Sequence, residues 1–228
     1  MTQPGSAHES GRAHRPDSAH PPVGVAGPGK ARVRRVAAVV VDPIARGLLR
    51  LHVSADAVTV IGTVGASVAA LWLGPQGHLV AAVLVVLVFA LSDMLDGSMA
   101  RQSGGGGPWG AFLDSTLDRI TDAAIFAAVA IWYLGGGDDN LLGYLALYCL
   151  VAGQLISYTR ARAEGLGMRA SGGIAERTER LLVIGISTLL AGFGVAYAQA
   201  IGLWILVVAT TVTVLQRMLM VRRQARSD

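Results

Sequence analysis

Apolar runs at residues 56–73, 79–100, 110–134, 141–163, 180–198 and 200–221 account for most of the chain beyond its first quarter. Each approaches or exceeds the ~20 residues a helix needs to cross the hydrocarbon of a bilayer. Where they part, the linkers are short and rich in glycine, as in Gly74-Pro75-Gln76-Gly77, the stretch 104–108 and the stretch 135–140. Such residues punctuate helices. The pattern predicts an all-α polytopic membrane protein, with six transmembrane helices forming one domain over residues 55–222.

Ahead of the first run the rhythm changes. In the segment 31–54, Arg34, Arg35, Arg46 and Arg50 interrupt Val, Ile and Leu. A helix from about Pro43 puts Ile44, Leu48 and Leu51 on one side and Arg46 and Arg50 on another, as in an amphipathic helix lying in the membrane interface. A basic lead-in to the first span is the other reading. Residues 1–30 hold five of the eight prolines and three of the five histidines. That composition buries too little apolar surface to offset chain entropy and predicts a disordered cytoplasmic tail. With no apolar run, the tail is not a signal peptide. Residues 223–228 form a second short cytoplasmic tail.

Composition agrees with the pattern. The chain is 53% hydrophobic and 15% charged over 228 residues, against about 25% charged in soluble domains, which excludes a soluble monomer. The lone Cys149 rules out an internal disulfide and any multi-cysteine zinc site. A pI near 9.7 would fit nucleic acid, but the placement of the charge argues against that partner. All 19 Lys and Arg fall within residues 12–50, 101–119, 160–180 and 217–226. Six spans put every one of these clusters on a single side, which the positive-inside rule makes cytoplasmic. The protein is thus expected in the cell membrane, multi-pass, with both termini in the cytoplasm.

Carboxylates inside apolar spans are costly and usually functional. Asp93 and Asp96 close the second run, and Asp114, Asp118 and Asp122 open the third. Intervals of three and four residues put each group on one helical face. Asp93, Asp96, Asp114 and Asp118 also lie roughly equal distances from the turn near Gly105, at ~1.5 Å rise per residue. An antiparallel helix pair therefore brings four carboxylates to one depth near the cytoplasmic surface. They cannot all stay ionised there without compensation. Oxygen-only ligands suit Mg²⁺ or Mn²⁺, and two ions ~3.5–4 Å apart suit displacement at phosphorus. Protonated or arginine-paired carboxylates in a cation or proton-coupled transporter are the alternative, although a transport site belongs nearer the midplane.

The string Asp93-x2-Asp96-Gly97-x2-Ala100-Arg101-x8-Gly110-x3-Asp114-x3-Asp118 resembles the full signature of the CDP-alcohol phosphotransferases. The resemblance implies a six-helix membrane enzyme, usually a homodimer, with a cytoplasmic active site. Asp93, Asp96 and Asp114 would bind metal, Asp118 would bind metal and act as general base, and Gly97 and Arg101 would contact the CDP moiety. Many members carry a Pro-Asn or Pro-Asp pair and then Thr before the first span. Here Ala55-Asp56 and Thr59 stand in that place, so Asp56 and Thr59 match as CDP-lipid contacts and the proline is replaced.

The signature does not name the acceptor. Arg160, Arg180 and Arg217 each lie at or within a span end, where an acceptor with its own phosphate needs them. Positive-inside topology and anionic lipid headgroups are the competing explanation. The stretches 157–164 and 176–181, with Val214-Leu215-Gln216-Arg217, look like the actinobacterial phosphatidylinositol phosphate synthases. That subfamily implies CDP-diacylglycerol and an inositol phosphate as substrates and Arg160, Arg180 and Arg217 as the phosphate pocket. A phosphatidylglycerophosphate synthase using glycerol phosphate is the runner-up. Asp122 extends the 114 and 118 face one turn deeper, either orienting Asp118 or Arg119 or serving as a buried hydrogen-bonded group. Arg119 is expected to pair with a nearby carboxylate, and Cys149 to lie in the core.

Overall fold

The computed structural model describes residues 41–102 and 107–226; the expected tail over 1–30 lies outside them. Every regular element among the described residues is an α-helix: α1 (41–50), α2 (Ala55–Leu73), α3 (Leu79–Ala90), α4 (Ser92–Gln102), α5 (Pro108–Leu134), α6 (Asn140–Glu164), α7 (Arg177–Gly192) and α8 (Ala198–Gln224).

Local chemistry sets several of these boundaries. Ser54 caps α2 by accepting the Ala57 amide at 3.1 Å. Pro108 sits in the first turn of α5, where its missing N–H costs nothing. Asp139 caps α6 through the Leu142 amide at 3.2 Å. Two ends differ from the apolar pattern. The second run, continuous in hydropathy, breaks at Leu91 into α3 and α4. There the Ser92 hydroxyl donates to the Phe89 carbonyl, competing with the helical ladder, and Gly62 of α2 leaves room for Ser92 where any side chain would collide. The fifth run yields a shorter helix that starts three residues earlier, at Arg177, and ends at Gly192, because Gly194 turns the chain with φ +83°.

The helices interlock around two cores. Phe126, Val129 and Ala130 of α5 meet Leu142, Ala146 and Cys149 of α6, Ile184 of α7, and Leu203 and Leu206 of α8. A smaller cluster joins Ala45 of α1, Val58 of α2 and Met99 of α4. It fixes α1 over the helix that carries the first two signature aspartates, and Ser98 Oγ on that helix donates to Asp42 Oδ1 at 2.6 Å. Outside these cores, bulky apolar side chains such as Ile61, Val68, Trp72, Val88, Val151, Ile186 and Val208 are exposed. Water does not tolerate such a surface, and a bilayer does. Among the described residues, four helical segments have the length and composition to cross a membrane: Ala55–Leu73, Leu79–Gln102, Asn140–Glu164 and Ala198–Gln224.

The loop between α6 and α7 is tied down by α8. Gln224 binds the backbone of Arg169 twice, accepting from its N–H at 2.9 Å and donating to its carbonyl at 2.6 Å. Arg217 Nε donates to Gly172 O at 3.0 Å, and Thr213 Oγ1 accepts the Ala175 amide at 3.0 Å. The loop thereby delivers Arg177 and Arg180 to α5.

Candidate active site

The start of α2 touches both segments of the aspartate signature. Thr59 Oγ1 donates to Asp96 Oδ2 at 2.6 Å, and Trp109 Nε1, in the first turn of α5, donates to Asp56 Oδ2 at 3.0 Å. Asp96 is buried, and the short bond from Thr59 offsets part of the cost of desolvating its carboxylate. Gly97 follows it, and Arg101 lies exposed at the end of α4, one turn on. Asp93 stands in the first turn of α4, and its side chain lies outside the described residues. Asp114 is exposed on α5.

An ionic network, half-buried at Asp118 and buried at Asp122, lies one and two turns along α5 from Asp114. Asp118 Oδ1 meets Arg177 Nη2 at 2.8 Å, and its Oδ2 lies 3.5 Å from Arg119 Nη2. Asp122 pairs with two α7 arginines, Arg180 Nη2 at 2.7 Å and Arg177 Nε at 3.3 Å. Arg177 therefore bridges carboxylates one helical turn apart, which their spacing of four allows. Arg180 also donates from Nη1 to Ala175 O at 3.2 Å, while its buried Nε has no hydrogen-bond partner. Arg180 fits there because Gly153 of α6 has no side chain; a Cβ would come 3.2 Å from Nε.

The three arginines singled out for an acceptor phosphate occupy different surroundings. Arg160 is exposed on α6 and pairs with Glu164 at 2.9 Å. Arg180 and Arg217 are buried. Arg217 donates to the carbonyls of Gly172 and Ile156, and its Nη2 lies 3.8 Å from Glu176. Arg217 thereby reaches Ile156, one turn before Arg160 on α6, and Gly172, in the loop that leads to Arg180. Sequence reasoning gave no site role to Arg177 or Trp109. The spacing of Arg177 and Arg180 at a helix start was the available signal for the first, and the signature gave none for the second.

Among the described residues no group of three or more metal-ligating side chains comes together; the Asp93 side chain is outside that set. The donors Asp96, Asp114 and Asp118 are all carboxylates. That chemistry fits a hard divalent cation bound through oxygen.

A helical bundle with an aspartate signature on α4 and α5, closed by the start of α2, defines a membrane phosphotransferase. The profile of the CDP-alcohol phosphatidyltransferase family matches residues 52–222, and the chain belongs to that family of enzymes. A transporter is thereby set aside. Among its relatives, the phosphatidylinositol phosphate synthase of Streptomyces avermitilis is 46% identical over 193 residues, covering 82% of this chain and 79% of the relative. That of Mycobacteroides abscessus is 45% identical over 190 residues, covering 83% and 86%. The crystal structure of the Mycobacterium tuberculosis phosphatidylinositol phosphate synthase with CDP-DAG bound superposes with a TM-score of 0.77 at 44% identity, covering 80% of this chain and 93% of that one. The same enzyme in complex with manganese and citrate gives 0.77 at 44% identity, covering 79% and 88%.

Proposed function

We propose that the chain transfers the phosphatidyl group of CDP-diacylglycerol to a hydroxyl of an inositol phosphate, giving phosphatidylinositol phosphate and CMP. The observation that carries this reading is the intact signature, with Asp96 held by Thr59 and Asp118 held by Arg177. Asp93, Asp96, Asp114 and Asp118 would hold Mg²⁺ or Mn²⁺, as two ions. Bound there, the cations would neutralise the diphosphate and the charge developing on the departing CMP. Asp118 takes the proton of the acceptor hydroxyl. The hydroxyl oxygen bonds to the phosphorus that carries the diacylglycerol, and the bond from that phosphorus to the CMP oxygen breaks. Asp56, Thr59, Gly97 and Arg101 hold the CDP moiety. Arg160, Arg180 and Arg217 supply the positive charge for the acceptor phosphate, the exposed Arg160 meeting it and the buried Arg180 and Arg217 acting from beneath, with Arg180 also fixing Asp122.

The same reading assigns six spans to α2, α3 with α4, α5, α6, α7 and α8, with α1 in the interface and both termini and the site cytoplasmic. It takes residues 55–222 as the catalytic domain, 31–54 as the juxtamembrane segment, 1–30 and 223–228 as tails, and a homodimer as the assembly. The test is an acceptor panel on the purified protein with CDP-diacylglycerol and Mg²⁺: inositol phosphate, inositol, glycerol phosphate and serine. CMP release saturating best with inositol phosphate is the expected result. Best saturation by glycerol phosphate would replace the acceptor assignment with phosphatidylglycerophosphate synthesis. No CMP release with any acceptor would overturn the reading.

A further inference from the structure

We infer that α1 is a receptor for membrane surface charge: Arg46 and Arg50 bind a bilayer rich in anionic phospholipid, and that binding holds α1 on α4, the helix that carries Asp93 and Asp96. The consequence for catalysis rests on the reading of the chain as a CDP-lipid enzyme; the binding itself does not. At about 100° per residue, the helix divides into three sectors roughly 120° apart. Asp42, Ala45, Leu48 and Leu49 share one, Arg46 and Arg50 the second, and Ile44 and Leu51 the third. Leu51 lies just past the end of α1, with its amide still bonded to Gly47 O at 3.2 Å. The first sector is spent on the protein: Ala45 is fully buried with Val58 and Met99, and Asp42 accepts from Ser98. The third presents hydrocarbon, with Ile44 48% and Leu51 75% exposed. The second presents two exposed guanidiniums one turn apart.

Those two guanidiniums decide the occupant. Arg46 Nε reaches only the Asp42 carbonyl, at 3.3 Å, and neither arginine meets a carboxylate among the described residues. An acidic protein segment would match the cationic sector but leave Ile44 and Leu51 in water. A bilayer with anionic headgroups takes both, the apolar sector against acyl chains and the cationic one among phosphates. The tie to α4 gives that contact a consequence. Ser98, itself 1% exposed, donates to Asp42 and accepts Gln102 Nε2 at 3.0 Å, and it lies two residues past Asp96. Val58, in the same cluster as Ala45, precedes Thr59, which binds Asp96. The docked α1 thus backs both helices that place Asp96, and a surface that binds the docked form raises its population.

The full chain is reconstituted in nanodiscs of phosphatidylcholine alone, or of equal parts phosphatidylcholine and phosphatidylglycerol. Hydrogen exchange over residues 41–52 and kcat at saturating Mg²⁺ and acceptor are measured in both, for the wild type, R46Q/R50Q and R46K/R50K. One arginine near an anionic surface is worth roughly 5-fold in binding and two roughly 30-fold, so wild-type exchange slows by about 5- to 30-fold in the anionic discs, and kcat rises with it. R46Q/R50Q matches the wild type in neutral discs and loses both responses, which separates α1 from any general effect of surface charge on Mg²⁺ or substrates. R46K/R50K keeps both responses, because the charge is retained. Equal wild-type exchange in the two bilayers, a wild-type response in R46Q/R50Q, or none in R46K/R50K would overturn the binding. Slowed exchange with unchanged kcat would overturn the link to α4. Absence of CMP release from either bilayer would instead refute the enzyme reading, while exchange still decides whether α1 binds the surface.

Discussion

Replacing Asp122 by alanine tests the ionic network beneath the site. Its Oδ2 meets Arg180 Nη2 at 2.7 Å, with side-chain exposures of 5% and 2%, so D122A strands a guanidinium that solvent cannot reach. Removing one partner of a buried pair costs about 3–5 kcal/mol. Arg177 also loses a contact at 3.3 Å, but it is 29% exposed and keeps Asp118, so it adds little. At about 2–4 °C per kcal/mol for a domain of this size, D122A should lower the midpoint of thermal unfolding by roughly 6–20 °C. The assay is size-exclusion chromatography of detergent-solubilised protein after heating. The double variant D122L/R180M removes both charges and keeps the volume, so it should recover most of the loss. Wild-type stability in D122A, or a double variant no better than D122A, would refute the network as drawn.

Three further outcomes follow from the same contacts. Thr59→Val removes the hydroxyl that binds Asp96; a hydrogen bond to a charged group contributes about 1.5–3 kcal/mol, and a titration should show weaker Mn²⁺ binding by roughly 10- to 150-fold. Asp118→Asn should lower kcat by roughly 10²–10⁴ with CDP-lipid binding retained; loss of lipid binding with normal turnover at saturation would exclude Asp118 as the base. Arg160→Ala should raise the acceptor KM without lowering the unfolding midpoint, since its only described partner is the exposed Glu164, whereas Arg217→Ala should do both, because its buried side chain holds the Gly172 and Ile156 carbonyls.

Much of the helical layout is legible in the sequence, because glycine, proline and capping residues mark where apolar runs stop. The expected spans 56–73 and 141–163 fall within one residue of α2 and α6. The break at Leu91 was hidden, since its cause includes a cavity at Gly62 on another helix. The aspartates were legible because a helix converts spacing into a shared face. The partners of Arg180 and Arg217 were not. Asp122 lies 58 residues from Arg180, and Ile156 lies 61 from Arg217, and no local rule links positions so far apart. Trp109 was missed because one aromatic residue beside a glycine-rich turn looks like any interfacial anchor until Asp56 is seen beneath it.

The ties from Thr213, Arg217 and Gln224 to the loop before α7 bear on how the enzyme is born. A ribosome releases α8 after α1 to α7, at about 5–20 residues per second. Until then the loop lacks its three anchors, and nothing from α8 holds Arg177 and Arg180 against Asp118 and Asp122. The nascent chain can insert its aspartates in the membrane without yet having the platform that orients them. The loop that carries the chain into Arg177 and Arg180 therefore gains its full set of ties only when synthesis has passed Gln224.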